Sequence, residues 1–299
     1  MKRVTKVLGV FLLMGLGLFT GTASGDVVGY FKFDTFPGGG TTFTDDSGRG
    51  LMGILGHPFT EPGSAPGPSG EADDFALSLD GRAALVVDDS AEEILNILEP
   101  PITLEAWVRA SENPLAHTGI ISYGIPGGRT GAGGYKLGIN PTGNLLFTLF
   151  GVVDVNSTIP FPFDGEWHHI AASYSLDDGG VVFYLDGLEV EFIAETRAIL
   201  NPGTRHLDIG AQHTALGRLN GDIDRVRIST AALTEEELDS VADTVKPVGD
   251  NTVAFFDFDE GAPPLSGRGH GTSWNSHLNC RMDNRSPTHG KYGRSCQSD

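Results

Sequence analysis

Apolar and polar residues alternate over short runs along most of the chain. Ile102–Ala110 (ITLEAWVRA) is the clearest case. Leu104, Ala106 and Val108 fall on one side, and Glu105, Trp107 and Arg109 on the other, which is the period of a half-buried strand. The same reading predicts strands over 27–34, 76–80, 84–87, 120–123, 135–139, 145–150, 166–175, 181–185, 188–192, 207–209 and 219–228. Asn140-Pro141-Thr142-Gly143-Asn144, Asp177–Gly180 and Asp186-Gly187 separate neighbouring runs as tight turns; Asp-Gly in particular suits the positive φ of a two-residue hairpin. Residues 35–74 are rich in Gly, Pro and Asp and are predicted to be mostly loop. Two helices are expected. One is short, Glu92–Leu98. The other starts at Thr234, whose hydroxyl and Glu237 three residues on form a capping box, with an acidic first turn that suits the helix dipole. Strands this frequent, joined by tight turns, do not build a parallel α/β sheet. They predict an all-β antiparallel sandwich or barrel with one short C-terminal helix.

The two ends of the chain read differently. Lys2, Arg3 and Lys6 precede an uncharged apolar run, Val7–Phe19, and then the small residues Ala23-Ser24-Gly25. This is the layout of a cleaved secretory signal over 1–25, and the run is shorter than the ~20 apolar residues that span a bilayer. The expected address is secreted, or periplasmic in a Gram-negative cell, with no membrane span after cleavage. Near the other end, Lys246–Asp250 reads as a linker, and the opening of the domain then recurs. Val253–Asp259 (VAFFDFD) echoes Val28–Asp34 (VGYFKFD), and Ser266-Gly267-Arg268-Gly269 repeats Ser47-Gly48-Arg49-Gly50. Residues 26–245 are therefore expected to form one domain and 251–299 the truncated start of a second copy. Such a fragment lacks the strands that would cover Phe255, Phe256 and Phe258. It should be poorly ordered or borrow a surface from the complete domain.

Composition narrows the partners. Of 299 residues, 39 are Asp or Glu against 20 Lys or Arg, a formal charge of −19. Loss of the signal removes three cations and no acid, leaving −22. A chain this acidic repels a phosphate backbone, so nucleic acid is not an expected partner. The two cysteines, Cys280 and Cys296, both lie beyond the expected domain, which therefore folds without a disulfide or a zinc–thiolate site. Outside the cytoplasm the two could form a bridge.

Four segments carry a family resemblance: YFKFD with DDSGRGLMG (30–34, 45–53), ITLEAWVRA (102–110), GEWHHIAASYSLDDGGVVFYLDG (165–187) and LNGDIDRVRISTAALTEEEL (219–238). In order and spacing they resemble the laminin-G-like, concanavalin-A-like jelly rolls of exported proteins, over about residues 27–242. The resemblance implies two packed antiparallel sheets. It implies fold more than function, because the scaffold hosts lectins, adhesion modules and hydrolases.

Candidate chemistry is weighed on that frame. Jelly-roll glycosidases flank the scissile bond with carboxylates on alternate residues of one strand. The nearest match, Glu71-Ala72-Asp73-Asp74, sits in a Gly/Pro loop without a third acid, and Glu105 stands alone on its strand; catalysis is not expected. His168 and His169 are adjacent on a strand, so they point to opposite faces and cannot share an ion. Calcium is the better metal expectation, because the exterior supplies it to oxygen sites. The resemblance implies Asp224 as its main ligand, with backbone carbonyls near Asp34 and Gly81; Asp45 and Asp46 are further possibilities, and a salt bridge from Asp224 to Arg225 or Arg227 is the alternative. For a glycan or extracellular protein ligand, the loops at the sandwich edge offer Tyr123, Arg129, Tyr135, Asn156, Phe161 and Phe163, since sugars take aromatic faces and carboxamide edges. The sequence thus reads as a non-catalytic recognition module. A glycoside hydrolase, its substrate-targeting accessory domain, and a structural adhesion repeat remain as alternatives.

Overall fold

The computed structural model describes residues 29–32, 42–44, 52–55, 63–72, 74–88, 95–125, 133–197, 202, 206–212, 217–242 and 251–258. The signal segment, Asp34, Asp45, Asp46, Arg129, the linker, Cys280 and Cys296 lie outside them. Seventeen strands form two sheets. In chain order they are β1 (Gly29–Lys32), β2 (Thr42–Thr44), β3 (Met52–Leu55), β4 (Gly63–Pro66), β5 (Phe75–Asp80), β6 (Leu85–Asp88), β7 (Ile102–Arg109), β8 (Thr118–Ile125) and β9 (Gly133–Ile139). There follow β10 (Asn144–Leu149), β11 (Val153–Pro160), β12 (Trp167–Ser175), β13 (Gly180–Leu185), β14 (Leu188–Ala194), β15 (His206–Ile209), β16 (Asn220–Ser229) and β17 (Thr252–Asp257). One sheet runs β1-β17-β16-β7-β12-β13-β14, with β5 also on β16 and β4 on β5; the other runs β11-β10-β9-β8-β15-β6-β3-β2. All pairings are antiparallel except β1 with β17.

The chain is a two-sheet antiparallel jelly-roll sandwich, as the family resemblance implies, with the strand facing that alternation predicts. Leu104, Ala106 and Val108 of β7, Ile170, Ala172 and Tyr174 of β12, and Val226 and Ile228 of β16 face Tyr135, Leu137, Phe147, Leu149 and Ile209 of the opposite sheet, all essentially without exposed surface. The predicted hairpin turns form. At Asp186-Gly187 both residues take positive φ, 52° and 78°, as a type I′ turn requires.

Three expectations are corrected. No helix forms among the described residues, so none of them is long and apolar enough to cross a membrane. The Thr234–Glu237 capping box is present, with Thr234 N donating to Glu237 Oε2 at 2.9 Å, but it closes a single turn. Backbone groups beyond it are taken by β7 and its neighbours, so the helix does not propagate. Residues Leu95–Leu98 are also non-helical. Asn156, expected on a loop at the sandwich edge, lies in an edge strand, β11, hidden in sequence by the turn-forming Asn156-Ser157-Thr158. Apart from these, Thr252–Asp257 lies within the sandwich sheet, between β16 and β1, with Phe255, Phe256 and Phe258 buried.

β16 is forked. Its first half, Asn220–Ile223, pairs with β5, and its second half, Val226–Ser229, with β17. A bulge lies between Asp224 and Arg227, and Arg225 takes φ 45° there. That conformation re-aims the strand and leaves Asp224 at the branch point.

Candidate functional site

Residues 231–242 cross the outer face of the nine-stranded sheet as a strap. Its anchors are the polar side of the β7 alternation. Trp107 Nε1 donates to Asp239 O at 2.8 Å, and Asp239 N donates to Glu105 Oε2 at 2.9 Å. Arg227 Nη2 donates to Glu237 O at 2.7 Å, and its Nε to Glu105 Oε1. His169 Nε2 lies 2.9 Å from Glu105 Oε2. Thr103 Oγ1 donates to Ala231 O and accepts from Leu233 N. Burial alone would raise the Glu105 carboxyl, but His169 and Arg227 outweigh it and hold the group below its ordinary range. Glu105, His169 and Arg227 are buried and spent on this network. They lock the strap to the sheet. His169 is thus the core histidine of the pair.

The fork of β16 gathers acids. Asp224 is fully buried; its Oδ1 accepts from Arg225 N at 2.7 Å and its Oδ2 has no partner. Asp74, before β5, accepts from Ser69 N on Oδ2 at 2.6 Å and leaves Oδ1 unpaired. Arg225 reaches only 3.8 Å from each carboxylate. Desolvation first, then Asp257 and Asp74, push the Asp224 carboxyl well above its ordinary value. The branch point is therefore short of positive charge, and its unpaired oxygens suit a hard cation. Register separates Gly81 from it: Gly81 N bonds Leu219 O, five positions along β16 from Asp224, or roughly 16 Å at ~3.3 Å per residue. Among the described residues no three acidic, His or Cys side chains group closely enough to hold a metal.

Three of the four expected ligand aromatics, Tyr123, Tyr135 and Phe161, are buried. Tyr123 and Tyr135 stack in the core with centroids 5.4 Å apart, and Tyr135 OH donates to Leu95 O at 2.8 Å. Phe161 is also core, packed edge-on to Phe163 at 5.1 Å. Tyr123 and Tyr135 lie on the apolar side of their strands, which alternation already marks. Trp167 is half-buried with the Arg109 guanidinium 4.8 Å over its ring, while Arg109 also grips Asp222 at 2.9 Å.

Asn156 and Phe163 do reach the surface, at the sandwich end that carries the β7–β8, β9–β10, β11–β12 and β13–β14 connections. The β9–β10 turn links them. Asn140 Oδ1 accepts from Thr142 N, Thr142 Oγ1 and Asn144 N, at 3.0, 2.6 and 3.0 Å. Its Nδ2 donates to Asn156 Oδ1 at 3.1 Å. Gly143, at φ 89°, tucks against Asn113 and Phe163. The buried Asn140–Gly143 turn thus joins the exposed carboxamide of Asn156 to the partly buried ring of Phe163, with Asn113 beside it, and one asparagine holds the turn rigid. His168 stands behind it, Nδ1 2.9 Å from Asp186 Oδ2 and Nε2 3.2 Å from Asp164 Oδ1. Burial lowers its pKa, but Asp186 and Asp164 outweigh that and hold the imidazole above its ordinary value.

One group escaped sequence reading. Lys136, on the outward side of β9, is 2% exposed. Its Nζ donates to Gln212 Oε1 at 2.7 Å and lies 5.7 Å from the Phe150 ring. Burial pulls the amine down to about 8, against the pull of Asp154. A lysine on the polar face of a strand reads as solvated; only the packing of Phe150 and Gln212 over it says otherwise.

Residues 88–239, just over half of the chain, match the laminin-G family described as the concanavalin A-like lectin/glucanases superfamily. The chain belongs to that family. No curated protein matches it in sequence. Among solved structures it is similar to a candidate carbohydrate-binding protein from Bacteroides ovatus, at 20% identity and TM-score 0.43, covering 55% of this chain and 46% of that one. It is also similar to domain 4 of AbnA, a GH43 extracellular arabinanase from Geobacillus stearothermophilus in complex with arabinotriose, at 18% identity and TM-score 0.48, covering 64% and 89%. A third is the CBM40 of the Ruminococcus gnavus IT-sialidase bound to α2,3-sialyllactose, at 14% identity and TM-score 0.46, covering 56% and 96%. The chain spans less than half the length of the first of these. At these identities and scores none of the three assigns a ligand to this laminin-G-family chain.

Proposed function

We propose that this laminin-G-family domain is a non-catalytic carbohydrate-recognition module that acts outside the cytoplasm, and that Asn156 and Phe163, joined by the Asn140 turn, meet the sugar. The carrying observation is that arrangement. It pairs carboxamide edges with an aromatic face on a preorganised turn, which is what a pyranose with polar edges and an apolar face selects. The non-catalytic reading is supported by the state of the alternating acids on β16. Asp222 is held by Arg109, and Asp224 has no exposed surface, so neither is presented to a bond. The expected result on a glycan array is retention of at least one glycan class. Asn156→Ala and Phe163→Ala each abolish it while leaving the thermal midpoint within a few degrees. Retention unchanged in both variants overturns that site, and turnover of a polysaccharide overturns the non-catalytic reading in favour of a hydrolase.

A calcium ion is part of this proposal. Asp224 and Asp74 carry the unpaired buried oxygens that fit it, and when bound the ion supplies the missing positive charge at the branch point. It stabilises by mass action. A chelator should lower the thermal midpoint of the wild type and leave Asp224→Asn unmoved; no shift in the wild type removes the ion.

A further inference from the structure

The opening motif occurs twice in this chain, and the two copies lie side by side. β1 and β17 pair in parallel, with Gly29 opposite Ala254, Tyr30 opposite Phe255, Phe31 opposite Phe256 and Lys32 opposite Asp257. Each pair is 225 residues apart, the same offset that aligns VGYFKFD (28–34) with VAFFDFD (253–259). Equivalent positions of the repeat therefore stand on the same rung. The inner copy holds the slot beside β16, where Phe256 sits opposite Val226 and Ala254 opposite Ile228. There Phe256 and Ala254 have no exposed surface and Phe258 almost none.

The outer copy has the same direction and the same register. Moving it inward by one strand spacing, ~4.8 Å, puts Phe31 opposite Val226 with no rotation and no slip. Paired residues share a face of a sheet, so Phe31 would then take the core position of Phe256, and Gly29 that of Ala254. At the paired rungs the two copies share Phe31 with Phe256 and keep a small residue, Gly29 for Ala254; they differ at Tyr30 for Phe255 and Lys32 for Asp257. The slot thus selects a pattern that both segments carry.

We propose that the slot beside β16 is an acceptor for this strand motif, that either copy fills it, and that Gly29–Lys32 is the alternative occupant of the place now held by β17. One acceptor with two donors leaves a spare donor. In a protein built of such repeats, the opening strand of one domain would complete the sheet of the one before it, so that adjacent domains interlock.

A double-mutant cycle on the full chain tests this. Phe31→Asp should barely move the thermal midpoint, because the inner copy keeps the slot. Phe256→Asp should lower it but leave a cooperative transition, with amide protection over Gly29–Lys32 increased as that segment moves inward. The double variant should lose more than the sum of the single losses, because each copy is the other's reserve. A synthetic peptide of residues 251–259 should bind the Phe256→Asp chain one to one and raise its midpoint, and the same peptide with Asp at the Phe256 position should not. The proposal is overturned if Phe256→Asp alone unfolds the chain, if the cycle is additive, if protection over Gly29–Lys32 is unchanged, or if the peptide does not bind.

Discussion

Single residues in this protein matter according to whether their partners are buried with them. Glu105 sits under the strap with His169, Arg227 and the Asp239 amide around it. Removing one member of such a set strands the others without water, at about 3–5 kcal/mol. Glu105→Ala should show that loss in urea unfolding at neutral pH. Because its folded pKa lies below the ordinary 4.5, its contribution is full above that value and is lost as pH falls through the folded one. The cost of the substitution should therefore shrink in acid. Lys136 has the opposite sign. Its folded value of about 8 lies below the ordinary 10.5, so the charged amine penalises the fold below pH 8 and the penalty fades toward pH 10.5. Lys136→Met should raise the thermal midpoint at pH 7 and give no gain near pH 10.5.

At the scale of elements, much of the fold was legible beforehand, because alternation on β7, β12 and β16 states which side is apolar. The same alternation already placed Tyr123 and Tyr135 inward; their attraction as ligand aromatics came from residue type, which a strand's facing overrides. Asn156 and Phe163 were readable as surface residues, but the Asn140 web joining them was not, since it depends on where β11 runs. The strap was legible only in its first turn. What continues past Leu238 is decided by Glu105, Trp107 and Arg227, more than a hundred residues away for the first two. Another cross-element contact was beyond sequence reading. Glu191 of β14 accepts from Ser157 Oγ, Thr158 N and Thr158 Oγ1 of β11, at 2.6–2.8 Å, and so ties an edge of one sheet to an edge of the other. Desolvation opposes these bonds but they win, and the carboxyl lies below its ordinary value. The site is open to solvent, so Glu191→Gln should cost no more than ~1 kcal/mol globally. Its effect belongs to the edge: hydrogen exchange should quicken over 153–160 and not over β12.

For the molecule as a whole, the net charge of −19 and the scarcity of free cations make pH a lever on stability. His168 bridges Asp164 and Asp186 and has a folded pKa above the ordinary 6.5. Its stabilisation is complete below 6.5 and disappears as pH rises through the folded value. The wild-type midpoint should therefore decline over that interval, and His168→Asn should flatten the decline; an equal slope in both would remove His168 as the cause.

The order in which the nine-stranded sheet is joined has a consequence for how the chain reaches its native state. β7 and β12 are neighbours separated by some sixty residues, but β5 waits for β16 and β1 waits for β17, at the far side of the domain. Contacts so distant in sequence close late and slowly. Until Asn220–Ser229 emerges, β7 presents an unsatisfied ladder along one side, together with the uncovered indole of Trp107. A nascent chain of this protein therefore carries an adhesive flank, and holding that flank apart from its neighbours is a task for whatever accompanies it.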